Sequence, residues 1–192
     1  MSMRRILPIL FLIPATLAGG CSATSKAPSN PEFLPRTDVE APRDAWSEYQ
    51  SARPASGTVR TFTDAGERRK ISVSIPSGWN GEGSVWRHGE SKLDHVRVNY
   101  FTGTGPETEW SKQQQLDVHE TVRAEQIANG YLLLVNHPGL KASILKLFII
   151  DSERQGSAYF FLECRVAYDG ERSAMWEACK SAVESAAYEA TQ

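Results

Sequence analysis

Ile71-Ser72-Val73-Ser74-Ile75-Pro76-Ser77-Gly78-Trp79 is the stretch on which the fold turns. Ile71, Val73 and Ile75 alternate with Ser72 and Ser74, the period of a strand with one buried and one wet face. Pro76-Ser77-Gly78 then stops it with strong turn chemistry. Working backwards, Thr58 to Thr63 is a second short strand, and Asp64-Ala65-Gly66 between the two predicts a hairpin. Working forwards, Ser84 to His88 and Lys92 to Thr102 give two further strands joined near Gly89. Within the second of these, Val96, Val98 and Tyr100 alternate with His95, Arg97 and Asn99. Gly105-Pro106 ends that run. With Thr108 as N-cap, the stretch without Pro or Gly up to Asn129-Gly130 reads as one long helix. Tyr131 to Val135, Ser143 to Ile150 and Ala158 to Tyr168 are three β-rich runs. Glu171 to Ala190 closes the chain as an amphipathic helix, with Met175, Cys179, Ala182, Val183 and Ala186 on one side. Ala158, Phe160, Leu162, Cys164 and Val166 share one face of the last strand, so that face and this helix can meet.

The order of elements, together with Pro76, Gly78 and Trp79 after a strand, resembles the PsbP-like family over residues 57–190. The fold of that family is shared with the Ran-binding Mog protein and the bacterial envelope protein DcrB. The resemblance implies an α+β fold: an antiparallel sheet packed by two helices in an α/β/α sandwich. It implies binding or assembly rather than a shared catalytic constellation, and a fold alone does not fix a function.

The N-terminus carries its own message. Arg4 and Arg5 form a positive region, Ile6 to Leu17 an apolar run, and Leu17-Ala18-Gly19-Gly20-Cys21 a small-residue cleavage site. This resembles the lipobox of bacterial lipoproteins, in which the Cys is lipidated and becomes the mature N-terminus. The large aliphatic residue, Leu17, stands one place further from the Cys than the family prefers. The apolar run is about 12 residues, short of the roughly 20 a spanning helix needs. Residues 1–20 are therefore read as a lipoprotein signal and Cys21 as the lipid attachment point. Ser22, rather than Asp, follows it, which resembles lipoproteins sent to the outer membrane. The expected location is the bacterial cell envelope, lipid-anchored and facing the periplasm. Residues 21–56, with Pro28, Pro31, Pro35, Pro42 and Pro54 among Ser, Ala and Thr, read as a tether. Asp44 to Tyr49 is a single capped turn within it, its Trp46 and Tyr49 expected to dock back on the domain.

Removing residues 1–20 from the 192 leaves 172, enough for one domain. Taking Arg4 and Arg5 from the formal charge of −2 leaves −4, a balance that argues against a nucleic-acid partner. With Cys21 assigned to lipid, Cys164 and Cys179 remain as a pair, and in an oxidising compartment they read as a disulfide. Two buried free thiols are the alternative.

No G-x-S-x-G elbow, phosphate-binding Gly loop, H-E-x-x-H or calcium-loop pattern is present, so no catalytic residue, metal or cofactor is expected. His88, His95, His119 and His137 are dispersed, and no third ligand accompanies any pair. His95, Arg97 and Asn99 form a polar stripe on one face of a strand, the candidate binding surface. The expected function is a non-enzymatic protein-interaction module for an envelope or periplasmic protein. An immunity lipoprotein neutralising a delivered toxin, or a carrier of a small molecule or lipid between sheet and helix, stands as the alternative.

Overall fold

The computed structural model describes residues 44–66, 68–154 and 156–189. The signal segment, Cys21 and the tether up to residue 43 lie outside the described residues. Among the described residues no helix is long and apolar enough to cross a membrane.

Among the described residues the fold is α+β, with three α-helices, two antiparallel sheets and every strand pairing antiparallel. The strand Lys70–Pro76 (β2) lies at the centre of a three-stranded sheet. It pairs with Gly57–Thr63 (β1) on one side and Ala187–Glu189 (β10) on the other. Ile71, Val73 and Ile75 are buried, as their alternation requires, while β1 is an exposed edge. Each of those three side chains contributes roughly 1.5–3 kcal/mol by leaving water.

The larger sheet has seven strands in the order β3-β4-β5-β9-β8-β7-β6. They are Asn80–Glu82 (β3), Val85–Arg87 (β4), His95–Thr102 (β5), Glu120–Ile127 (β6), Gly130–His137 (β7), Ala142–Ile150 (β8) and Ala158–Ala167 (β9). The three expected β-rich runs are its central strands. Gly130 opens β7 at φ +155, and a Cβ there would stand 1.8 Å from the Phe148 carbonyl oxygen. Only glycine lets the two backbones approach so closely.

The expected long helix from Thr108 to Asn129 is not formed. Pro106–Gln114 (α2) is helical, with Gly105 rather than Thr108 as N-cap and Pro106 in the first turn. The chain then turns into β6, which pairs with β7 through a bulge between Thr121 and Arg123. Arg123, Ala124, Glu125 and Gln126 favour a helix in isolation. The ladder hydrogen bonds and apolar cover that β7 offers outweigh that preference. The terminal helix is likewise shorter than expected. Arg172–Ser185 (α3) ends at Ala186, and the next three residues form β10. Ser185 Oγ accepts a 2.6 Å hydrogen bond from the Ser74 amide, tying the end of α3 to β2.

One face of the large sheet joins α3 and β2 in the main core, where Val96, Val98, Phe160, Leu162 and Cys164 meet Met175, Trp176, Cys179 and Ala182. On the other face α2 packs across β7 and β8. Trp110 Nε1 donates to the Leu132 carbonyl at 3.0 Å, and the Trp110 ring lies 5.0 Å from Tyr131.

The packed part of the chain begins ahead of the expected boundary at Gly57. Ala45–Ser51 (α1) is capped by Asp44, whose Oδ1 accepts from the Ser47 amide at 2.9 Å. It docks on α3 as the aromatic pair predicts. Tyr49 is buried edge-on to Trp176 at 5.9 Å, and the Arg123 guanidinium sits over Trp46 at 5.3 Å. Glu48 accepts from Arg172 Nη2 at 2.5 Å and from Trp176 Nε1 at 2.8 Å. The α1 segment is therefore a piece of the domain.

Cys164 and Cys179 are brought together between β9 and α3, both buried, as free thiols rather than a disulfide. Burial pushes the Cys179 thiol far up, and its neighbour Cys164 adds to the shift.

Candidate functional site

The helix α2 covers only part of the second face of the large sheet. Antiparallel register places directly opposed residues on the same face, so the uncovered part can be read strand by strand. Arg87, His95, Arg165 and Ile144 form one row, and Val85, Arg97, Glu163 and Lys146 the next. Asn99, Phe161 and Phe148 follow, then Phe101, Tyr159 and Ile150. The expected stripe of His95, Arg97 and Asn99 does share one face of β5.

The members of that stripe have different surroundings. His95 is 3% exposed, and its Nε2 meets Glu163 Oε1 at 3.1 Å. An ionised carboxylate only accepts, so Nε2 carries the proton in this bond. His95 Nδ1 is buried and has no hydrogen-bond partner among the described residues. Arg97 and Asn99 are half-buried. Although Arg97 is directly across from Glu163 in register, the carboxylate instead accepts from Arg165 Nη2 at 3.2 Å.

Two charged residues that the sequence reading passed over lie at the centre of this face. Lys146 and Glu163 are each 8% exposed and are cross-strand neighbours on β8 and β9. Burial alone would raise the Glu163 carboxyl. The hydrogen bond from His95 and the charges of Arg165, His95 and Lys146 outweigh it and hold the group below the usual carboxylate range. Burial lowers the Lys146 ammonium, with Arg165 adding to the shift against the opposing pull of Glu163 and Glu109. Lys146 Nζ donates to Gln113 Oε1 at 2.6 Å, and Gln113 Nε2 in turn donates to Glu109 Oε1 at 2.9 Å. The face thus combines fixed charges with an aromatic cluster. Phe148 packs edge-on to Phe161 at 5.2 Å, and Phe101 lies 5.4 Å from Tyr159.

The signal for these residues was available in the sequence. Lys146 interrupts Ile144 to Ile150, and Glu163 and Arg165 interrupt Tyr159 to Val166, single charges in otherwise apolar strands. A charge in such a run must be paired or must serve something.

The remaining candidates separate. His88 packs on Trp79 at 5.7 Å, whereas His95 turns to Glu163. His119 and His137 lie 6.4 Å apart, and burial lowers both. Among the described residues no group of three or more His, Cys, Asp or Glu side chains is placed to hold a metal. Glu107 and Glu109 occupy the first turn of α2, where they complement the helix dipole. Trp86 is core, beneath the opposite face.

Comparison with known proteins by sequence gives no match to a protein-family model and none to a curated protein. Among solved structures, the chain is similar to a crystal structure from Bacteroides thetaiotaomicron VPI-5482 at 1.50 Å resolution, with 16% identity and a TM-score of 0.34. The likeness covers 64% of this chain and 45% of that one, so the chain spans less than half the length of the protein it matches.

Proposed function

We propose that this chain is a bacterial lipoprotein, exported by residues 1–20 and held by lipid on Cys21 in the outer membrane, facing the periplasm. Its domain, read as an α/β/α sandwich of the PsbP-like kind, serves as a non-enzymatic interaction module for an acidic segment of another envelope protein. The observation that carries this reading is the uncovered half of the large sheet. There Arg87 is exposed and Arg97 half-buried, and neither forms an ion pair or hydrogen bond with another described residue. Further along the same face Phe101 is 44% exposed. Arginine and aromatic side chains are the residue types enriched at binding hot spots, and this face presents both. The sign of the two arginines also opposes the net negative charge of the chain, which favours an acidic partner. The sequence holds none of the catalytic motifs named above, which is why the reading is a binding one.

Crosslinking in intact envelopes followed by affinity purification tests it. The unaltered chain is expected to carry one partner at fixed stoichiometry, lost in the R87E and R97E variants. Recovery of the unaltered chain alone, or of the same partner with both variants, would refute the reading.

A further inference from the structure

Beside that surface, between α2 and the β5–β9 end of the sheet, lies a cleft of about 390 Å³. Small-molecule sites typically occupy ~300–1,000 Å³. Its floor holds a donor and an acceptor side by side. The Lys146 ammonium has three N–H groups, and among the described residues its hydrogen bond is to Gln113. Glu163 receives both of its hydrogen bonds, from His95 and Arg165, on Oε1. Oε2 accepts none from the described residues. Phe101, Phe148, Tyr159 and Phe161 supply an apolar wall, and burial, reinforced by the charge of Glu109, pushes the Tyr159 phenol up to about 12, so it stays neutral.

This arrangement discriminates among ligands by charge. A simple carboxylate could answer Lys146 but would face Glu163 and Glu109 across the same small space. A simple amine could answer Glu163 but would leave Lys146 with like charge nearby. Either mismatch is costly beside charges as buried as Lys146 and Glu163. A molecule bearing both charges on groups attached to one carbon satisfies both. We propose that the cleft binds a zwitterionic α-amino acid with an apolar side chain. Its carboxylate meets Lys146, its ammonium meets Glu163 Oε2, and its side chain lies against Phe148 and Phe161. The inference goes beyond the partner-binding reading and does not rest on it.

Calorimetric titration of the purified chain with L-phenylalanine and L-leucine tests the site directly. Saturable binding is expected. N-acetyl-L-phenylalanine, which lacks the ammonium, and L-phenylalaninamide, which lacks the carboxylate, are expected to bind at least tenfold more weakly. Both K146M and K146Q, folded by circular dichroism, are expected to lose binding; the pair guards against one failing to fold. The proposal is overturned if neither amino acid binds at up to about 10 mM, a range well above ordinary small-ligand affinities. It is overturned equally if the blocked analogues bind as well as L-phenylalanine, or if a folded Lys146 variant binds unchanged. The blocked analogues are read on the unaltered chain, so the test stands even without the variants.

Discussion

Replacing Glu48 by alanine removes the acceptor on which α1 is fastened to the domain. Glu48 Oε2 accepts from Trp176 Nε1 at 2.8 Å and from Arg172 at 2.5 Å, and Trp176 is 1% exposed. Once Glu48 is truncated, the indole N–H loses that acceptor, and leaving a buried donor unsatisfied costs about 1–3 kcal/mol. The Glu48 side chain is itself 39% exposed, so its ion pair with Arg172 is discounted for solvent to about 0–1 kcal/mol. The total for E48A is about 1–4 kcal/mol, with a central value of about 2 kcal/mol. E48Q keeps a neutral acceptor for the indole and forfeits only the charge, so its cost is about 0.5–1 kcal/mol. Urea unfolding monitored by tryptophan fluorescence measures the difference. With a slope of roughly 2 kcal/mol/M, the midpoint falls by about 1 M for E48A and by less than half that for E48Q. Equal shifts for the two variants would refute the role given to the indole. A shift below about 0.2 M for both would show that α1 is not part of the cooperative unit.

G130A places a methyl group 1.8 Å from the Phe148 carbonyl oxygen and forces β7 from β8; a loss above about 3 kcal/mol is expected, checked by thermal unfolding. In the reduced, folded chain the two buried thiols are expected to react with a thiol-specific disulfide reagent at least about a hundredfold more slowly than in denaturant, because both are shielded and the Cys179 thiol is pushed up. Glu163 titrates below its ordinary value of 4.5 in the folded state, so its contribution to stability is complete above that pH and is lost as the pH falls through the lower folded value. E163Q is therefore expected to flatten the acid limb of the stability curve, and an unchanged limb would refute the assignment.

Strands whose side chains state their own burial were legible from sequence alone. Ile71, Val73 and Ile75 specify β2, and the apolar runs of β7, β8 and β9 announce the centre of the large sheet. Elements decided by their neighbours were not. β6 is a strand because β7 lies beside it with an open edge, and β10 is a strand because α3 delivers the chain to β2. No local pattern encodes either fact. Much the same division holds for the candidate site. Period-2 alternation put His95, Arg97 and Asn99 on one face, but their opposition to Arg165, Glu163 and Phe161 is a matter of register between strands far apart in sequence.

The ends of the large sheet bear on how the molecule behaves when crowded. At one end β3 is only three residues long, and at the other β6 is broken by the bulge at Thr121 and Arg123. Short or bulged edges make poor templates for a foreign strand. β1, seven residues long and exposed, with Val59 66% exposed, has no such protection. If concentrated chains stack into fibrils or exchange strands, β1 is where the first backbone hydrogen bonds between molecules form, and a proline or lysine at Val59 is the economical way to prevent it.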